Sequence, residues 1–181
     1  MTEIIDIAEL DCIYLTYDET RADDFWAQIR ANVPWAKRVH GVKGSDAAHK
    51  AAAAASDTER FILIDGDNMP DPEFFNLTLE LPTEEYERAV FRWRAKNHIN
   101  GLMYGNGGLS SWTRQFVNNM RTHENSDPTD TKGLVEFCFD DKYYQFNENY
   151  SVSYTNATPF QAWRAGFREG VKMALDSGAK I

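Results

Sequence analysis

The sequence predicts an α/β chain in which a βαβαβ unit with parallel strands comes first and a second half completes a mixed sheet. Three observations lead there. Strand-like apolar runs alternate with helical periodicity over residues 11–65, a fully apolar run ends abruptly in Asp65 and Asp67, and after residue 71 the runs lengthen and are broken by Asn-Gly and Gly-Gly pairs.

The first strand is "DCIYLTY" (residues 11–17), β-branched and aromatic. Phe25, Trp26, Ile29 and Val33 follow at helical spacing. "AKRVHGV" reads as a short second strand, and Ser45 is placed to cap "DAAHKAAAAAS", whose alanines have the highest intrinsic helix propensity. The third strand, "RFILI", delivers Asp65 to the carboxyl edge, where open sheets of this kind bind ligands. In the second half, residues 88–108 hold two strand-like runs broken at Asn100-Gly101 and at Gly105 to Gly108; residues 110–122 look helical, and "LVEFCFDDKYYQF" (134–146) looks extended. Residues 122–133 are polar, rich in turn formers, and expected to be a mobile loop. The last element is a helix: Thr158 and Gln161 make a capping box, Pro159 takes the first helical position, and Phe160, Trp163, Phe167, Val171 and Leu175 form one apolar stripe.

At 181 residues, 43% of them hydrophobic, the chain suits one domain over residues 1–181, in two halves at about 11–70 and about 71–181. A net charge of −9 argues against a general nucleic-acid coat, although a local basic surface is compatible with it. Cys12 and Cys138 lie far apart inside strand-like runs, which suits buried free thiols. No apolar run reaches the length of a membrane span and the amino terminus lacks a secretory pattern, so the expectation is a cytoplasmic protein with no membrane partner. His40, His98 and His123 have no zinc-like spacing.

Asp65 and Asp67 form an i, i+2 pair that an extended backbone points the same way, and Gly66 between them permits close approach of a ligand to the main chain. Two adjacent like charges repel unless they share a counter-charge. A hard divalent cation, Mg²⁺ or Mn²⁺, supplies one, with further oxygens from a substrate diphosphate; the alternative is a solvated turn before Pro70.

At these residues a resemblance emerges. "GVKGSDAAHKAAAAASDTE" followed by "RFILIDGDN" resembles the donor-binding half of nucleotide-sugar glycosyltransferases of the GT-A (Rossmann-like) fold, and together with "GLMYGNGG" and "PFQAWRAGFREGVKM" the chain is similar to short family-2-like glycosyltransferases of tailed phages. The resemblance runs from about Asp11 to Met173 and departs at "FCFDDKYY", which lacks the Glu-Asp pair expected for the acceptor base. It implies that Asp67 and Asp65 hold the metal, and that Thr16, Tyr17 and Asp18 meet the nucleobase, unless Tyr17 merely covers the sheet edge. Asp46 would lie over the ribose or base, or serve the helix dipole, and Lys50 would neutralise a phosphate. Asn106 and Gly107, in a run that bares main-chain N–H groups, close on the sugar or else form a plain hairpin turn. Asp140 and Asp141 take the acceptor's proton as general base, or mark a strand-end turn. Arg92, Arg94 and Lys96 alternate along one strand face, either a solvated face or phosphate contacts to DNA, and Trp112 is a candidate for the acceptor cleft.

The function expected is metal-dependent transfer of a sugar from a nucleoside diphosphate sugar, a UDP-sugar first, to a hydroxyl such as that of a hydroxymethylated pyrimidine in phage DNA. The alternatives are a nucleotidyltransferase acting on a sugar phosphate, a non-catalytic nucleotide-sugar binding module, and a fragment of a longer transferase.

Overall fold

The computed structural model describes residues 2–127, 129–130 and 134–175, with Asn106 described by its backbone alone. Strand β1 (Glu3–Asp6), absent from the sequence reading, precedes β2 (Asp11–Thr16), which buries Cys12, Ile13 and Tyr14. Helix α1 (Ala22–Asn32) buries Phe25 and Ile29, with Val33 sealing its end. Strand β3 (Lys37–His40), helix α2 (Ser45–Ala55) and strand β4 (Arg60–Asp65) complete the unit, and β3 and β4 flank β2 in parallel register. Alternation sends Cys12, Tyr14, Ile62 and Ile64 toward α1 and Ile13, Phe61 and Leu63 toward α2. This is the βαβαβ half the sequence predicts.

A tight turn at Gly66 and Asp67 leads into β5 (Asn68–Pro70), and β6 (Thr78–Leu81) pairs antiparallel with β1 in a separate ribbon. After the single turn α3 (Glu84–Glu87) come β7 (Val90–Asn97), β8 (Met103–Thr113), α4 (Arg114–Asn119), β9 (Tyr143–Ser153) and α5 (Pro159–Met173). Among the described residues, seven strands form one mixed sheet in the order β3-β2-β4-β8-β7-β9-β5. β8 is antiparallel to both its neighbours, β4 and β7, so β4, β7 and β9 run the same way and share a carboxyl edge.

Five local expectations need correction. Gly105 to Gly108 do not break the chain: β8 runs through them with a register shift, Arg92 facing Ser110 but Arg94 facing Gly105. Glycine suits Gly105 and Gly107 because the Gln145 side chain and the Tyr143 hydroxyl lie 2.5 and 2.9 Å from where a Cβ would sit. Residues 110–113 are strand, and the following helix starts at Arg114, its Phe116 N–H donating to Thr113 Oγ1 at 3.0 Å. Residues 137–139 form a 3-10 turn, and Thr122 opens another at 123–125, so the start of the expected loop is a capped turn; residues 128 and 131–133 lie outside the described residues.

The start of α2 is the fifth. Gly44, at φ +94°, takes the capping place expected of Ser45, and the Glu124 carboxylate accepts the N–H groups of Ser45 and Asp46 at 2.8 and 3.0 Å. Those two bonds hold the Glu124 carboxyl below its ordinary value. Its stabilisation is therefore present at neutral pH and lost as pH falls through that lowered pKa. Glu124→Ala is expected to cost about 1 kcal/mol in urea unfolding at pH 7, with the difference vanishing in acid. An unchanged midpoint would show that water replaces the cap without loss.

Helix α5 takes its predicted Thr158 cap, whose Oγ1 accepts from the Gln161 N–H at 3.1 Å, but the reciprocal bond of a capping box is shifted: Gln161 Oε1 accepts from the Ala157 N–H, one residue before the cap, at 3.0 Å. Its apolar stripe, however, covers no core. Phe160, Trp163, Phe167 and Val171 are 65, 61, 58 and 46% exposed.

Candidate functional site

The fully buried strand β4 drives Asp65 to the carboxyl edge of the sheet, where the chain turns at once into β5. Buried Tyr14 donates its hydroxyl to the Gly66 carbonyl at 2.9 Å, and the Tyr154 N–H donates to the Asp67 carbonyl at 2.8 Å, so both sides of the turn are pinned. The Asp67 carboxylate accepts from Asn68 Nδ2 at 2.9 Å and from Gln161 Nε2 at 3.5 Å. Asp67 thus sits on a turn, held by amides, and the extended i, i+2 geometry expected of the pair is replaced by a bend.

Sequence reasoning missed Glu19, as it missed the basic row of α5 described below. The Glu19 carboxylate accepts the Tyr17 N–H at 2.8 Å and lies 2.5 Å from where a Cβ on Gly66 would stand. The close approach that Gly66 permits is therefore taken by Glu19. Burial, then the neighbouring Asp67 carboxylate, pushes the Asp65 carboxyl from 3.8 up to about 7, and burial likewise raises Asp67, with Glu19 adding to both. No local signal marks Glu19, because its contact spans 47 residues.

Opposite these acids lies α5. Arg164, Arg168 and Lys172 fall at successive i, i+4 positions; Arg168 and Lys172 act on Asp65, and Arg164 on Asp67, to lower their pKa values. Arg168 and Lys172 also approach the two oxygens of Glu136 at 3.9 Å each, and His123 Nδ1 lies 3.4 Å from Glu136 Oε1. Glu136 is 6% exposed. Here is the positive charge that the isolated strand end lacked.

Folded Asp65 keeps its proton up to about pH 7, whereas the unfolded chain loses it near 3.8. Stability of the metal-free protein is thus expected to fall between about pH 4 and 7, by on the order of 4 kcal/mol at most, and then level off. A cation held by Asp65 would have to displace that proton, so Mn²⁺ affinity at this site would rise about tenfold per pH unit up to about 7. Mn²⁺ titration calorimetry at pH 6, 7 and 8 checks this; equal affinities at all three would refute it.

The remaining expected residues divide. Tyr17 and Asp18 are exposed at the end of β2, but Thr16 is buried, its Oγ1 accepting from Arg38 Nε at 3.0 Å and bonded to His40 Nδ1 at 2.8 Å. Asp46 and Lys50 pair with each other at 2.7 Å, and Asp46 Oδ1 also accepts from Asn125 at 3.1 Å. Gly107 lies on β8 against Tyr143, and the Asn106 side chain lies outside the described atoms. Trp112 is 1% exposed and donates to Ser110 Oγ, so it packs the core and lines no acceptor cleft. Arg92 and Arg94 do share a face, the one that carries Asp65, but both are half-buried; Arg92 lies 5.1 Å over the Tyr143 ring, and Lys96 is the exposed member of the expected stripe. Asp140 and Asp141 take the strand-end turn that was their alternative, away from the acceptor role. The Lys142 carbonyl accepts from the Val90 N–H, so these acids stand at the amino ends of β7 and β9, across the sheet from Asp65, with Asp140 closing its own turn on the Lys142 N–H at 2.9 Å.

Asp65 and Asp67 offer hard oxygen donors of the kind Mg²⁺ or Mn²⁺ takes. Among the described residues no three His, Cys, Asp or Glu side chains are set to hold a metal alone, so a bound cation would draw its remaining oxygens from a ligand. No helix among the described residues is long and apolar enough to cross a membrane.

No protein-family model and no curated protein sequence matches this chain. Among solved structures, it is similar to a glycosyltransferase involved in the glycosylation of the major capsid of PBCV-1, at 12% identity and TM-score 0.47 over 89% of this chain and 99% of that one. It is also similar to HddC from Yersinia pseudotuberculosis, at 16% identity and TM-score 0.40 over 90% and 80% of the two chains. The same protein complexed with GMP-PN matches at 13% identity and TM-score 0.41, over 87% and 77%.

Proposed function

We propose that this chain is a GT-A-type glycosyltransferase that moves a sugar from a nucleoside diphosphate sugar to a hydroxyl group. One observation carries the reading: at the carboxyl edge a turn of repelling carboxylates faces a basic helix stripe. A metal-bound diphosphate needs both signs, carboxylates for the cation and cations for the outer phosphate oxygens. Asp65 and Asp67 would hold Mn²⁺ or Mg²⁺, which neutralises charge on the departing diphosphate. Arg164, Arg168 and Lys172 bind the phosphate oxygens. Tyr17 and Asp18 receive the nucleobase, uracil first.

In the transfer, the acceptor oxygen bonds to the anomeric carbon as the bond from that carbon to the diphosphate oxygen breaks. The nucleoside diphosphate leaves with the electron pair. The acceptor's proton goes to Glu136, which replaces Asp140 and Asp141 in this role because it lies beside α5. The half-buried Arg92 and Arg94 suit an acceptor that enters the cleft better than an intact duplex lying across it. A hydroxymethylated pyrimidine in DNA would thus have to turn out of its stack to react.

The test incubates the purified chain with UDP-sugars, Mn²⁺ and hydroxyl acceptors. Release of free nucleoside diphosphate supports the reading. Release of pyrophosphate from a nucleoside triphosphate and sugar phosphate would make the protein a nucleotidyltransferase, and binding without turnover would make it a binding module.

A further inference from the structure

Three neighbouring rows of α5 differ sharply in kind. The row Arg164, Arg168, Lys172 is basic and faces the acids. Beside it the row Trp163, Phe167, Val171, joined by Phe160, is large, apolar and exposed; its three aromatic rings stack outward with centroids 6.1 and 5.3 Å apart. The next row is Ala162, Gly166, Gly170 and Ala174, all small, and a Cβ added at either glycine would meet nothing within 4 Å. One helix therefore carries a ridge and, directly beside it, a groove.

Each half of that surface is unfavourable alone. The three aromatics leave on the order of 300–450 Å² of apolar surface in water, and Val171, 46% exposed, extends it. Glycines inside an exposed helix weaken it unless something uses the space above them. Large residues on one i±4 row and small ones on the next are what ridges-into-grooves packing requires, with crossing angles near about −50°.

We propose that α5 pairs with α5 of a second copy of this chain, as a two-fold dimer in which each aromatic ridge fills the partner's glycine groove. A two-fold interface uses one patch against itself and must be self-complementary, and this helix carries both complementary halves. A lipid surface would use the aromatics but has no use for the groove. The patch already supplies roughly half of the 800 Å² or so that each partner gives to a standard interface. Pairing would also steady the helix that holds Arg164, Arg168 and Lys172 over the acids; that consequence rests on the transferase reading, whereas the dimer does not.

Sedimentation of the full chain from about 1 to 100 μM is expected to show a dimer. Gly166→Leu and Gly170→Leu fill the groove while adding apolar surface and helix propensity, and each is expected to raise the dimer dissociation constant at least about 100-fold. Trp163→Glu, at an exposed position, should do the same, with circular dichroism showing the fold retained. A wild-type monomer throughout the range overturns the proposal, and so does a Gly166→Leu or Gly170→Leu variant that folds and dimerises as tightly as wild type. Binding of a monomeric wild type to vesicles of phosphatidylglycerol and phosphatidylcholine, strengthened in the leucine variants, would assign the face to lipid instead. Because the readout is mass, failure of the transferase reading leaves it intact, and a monomer that turns over donor sinks the dimer alone.

Discussion

Asp67→Ala is expected to abolish Mn²⁺-dependent binding of the nucleoside diphosphate while leaving the fold standing. Asp67 sits on the turn after β4, where its carboxylate is raised by burial and by Glu19 and is held by Asn68 and Gln161. Removing it takes away one of two proposed metal ligands, a loss of at least about 100-fold in metal-dependent affinity. The turn itself survives, because Tyr14 and Tyr154 hold it through the carbonyls of Gly66 and Asp67 and need no carboxylate. The metal-free variant should melt within a few degrees of wild type, since the lost amide contacts are offset by relief of repulsion with Asp65 and Glu19. Calorimetric titration of UDP with and without Mn²⁺ decides the matter. If the variant keeps the wild-type Mn²⁺ dependence, the cation does not sit at this turn.

Glu136→Gln should lower kcat by about 10²- to 10⁴-fold while donor affinity stays within about threefold. Glutamine keeps the shape and can still accept from His123, but it cannot take a proton from the acceptor. The split between kcat and affinity matters because Glu136 also faces Arg168 and Lys172 of α5. Loss of donor affinity with kcat preserved would make Glu136 an anchor for that helix and move the base elsewhere.

The amino-terminal half was legible because its cues are local. Period-2 runs give way to 3.6-residue spacing within windows of about a dozen residues, and an acid pair closing an apolar strand stands out against that background. Contacts between distant segments were not legible. β1 is four residues long and finds its partner in β6, more than 70 positions away. Glu124 caps a helix from across the chain, which no residue around Ser45 announces. Of the two roles open to Asp140 and Asp141, acceptor base or strand-end turn, the sequence cannot choose, because composition gives a strand but not its direction, and β9 runs parallel to β7. The apolar stripe on α5 is visible in the sequence as a periodicity, yet periodicity does not say whether a face is covered by its own chain.

The place of β8 in the sheet bears on how the chain emerges from the ribosome. β4 is apolar toward both layers and finds its second neighbour in β8, whose last residue, Thr113, is synthesised about 50 residues after Asp65. At ordinary elongation speeds of about 5–20 residues per second, the Phe61 to Ile64 edge stays open for roughly 2–10 s on each nascent chain. An unpaired apolar edge is a template for pairing with any other strand nearby. On polysomes the strands nearby belong to sister chains, so slower translation between Asp65 and Thr113 would lengthen the exposure of this edge to them.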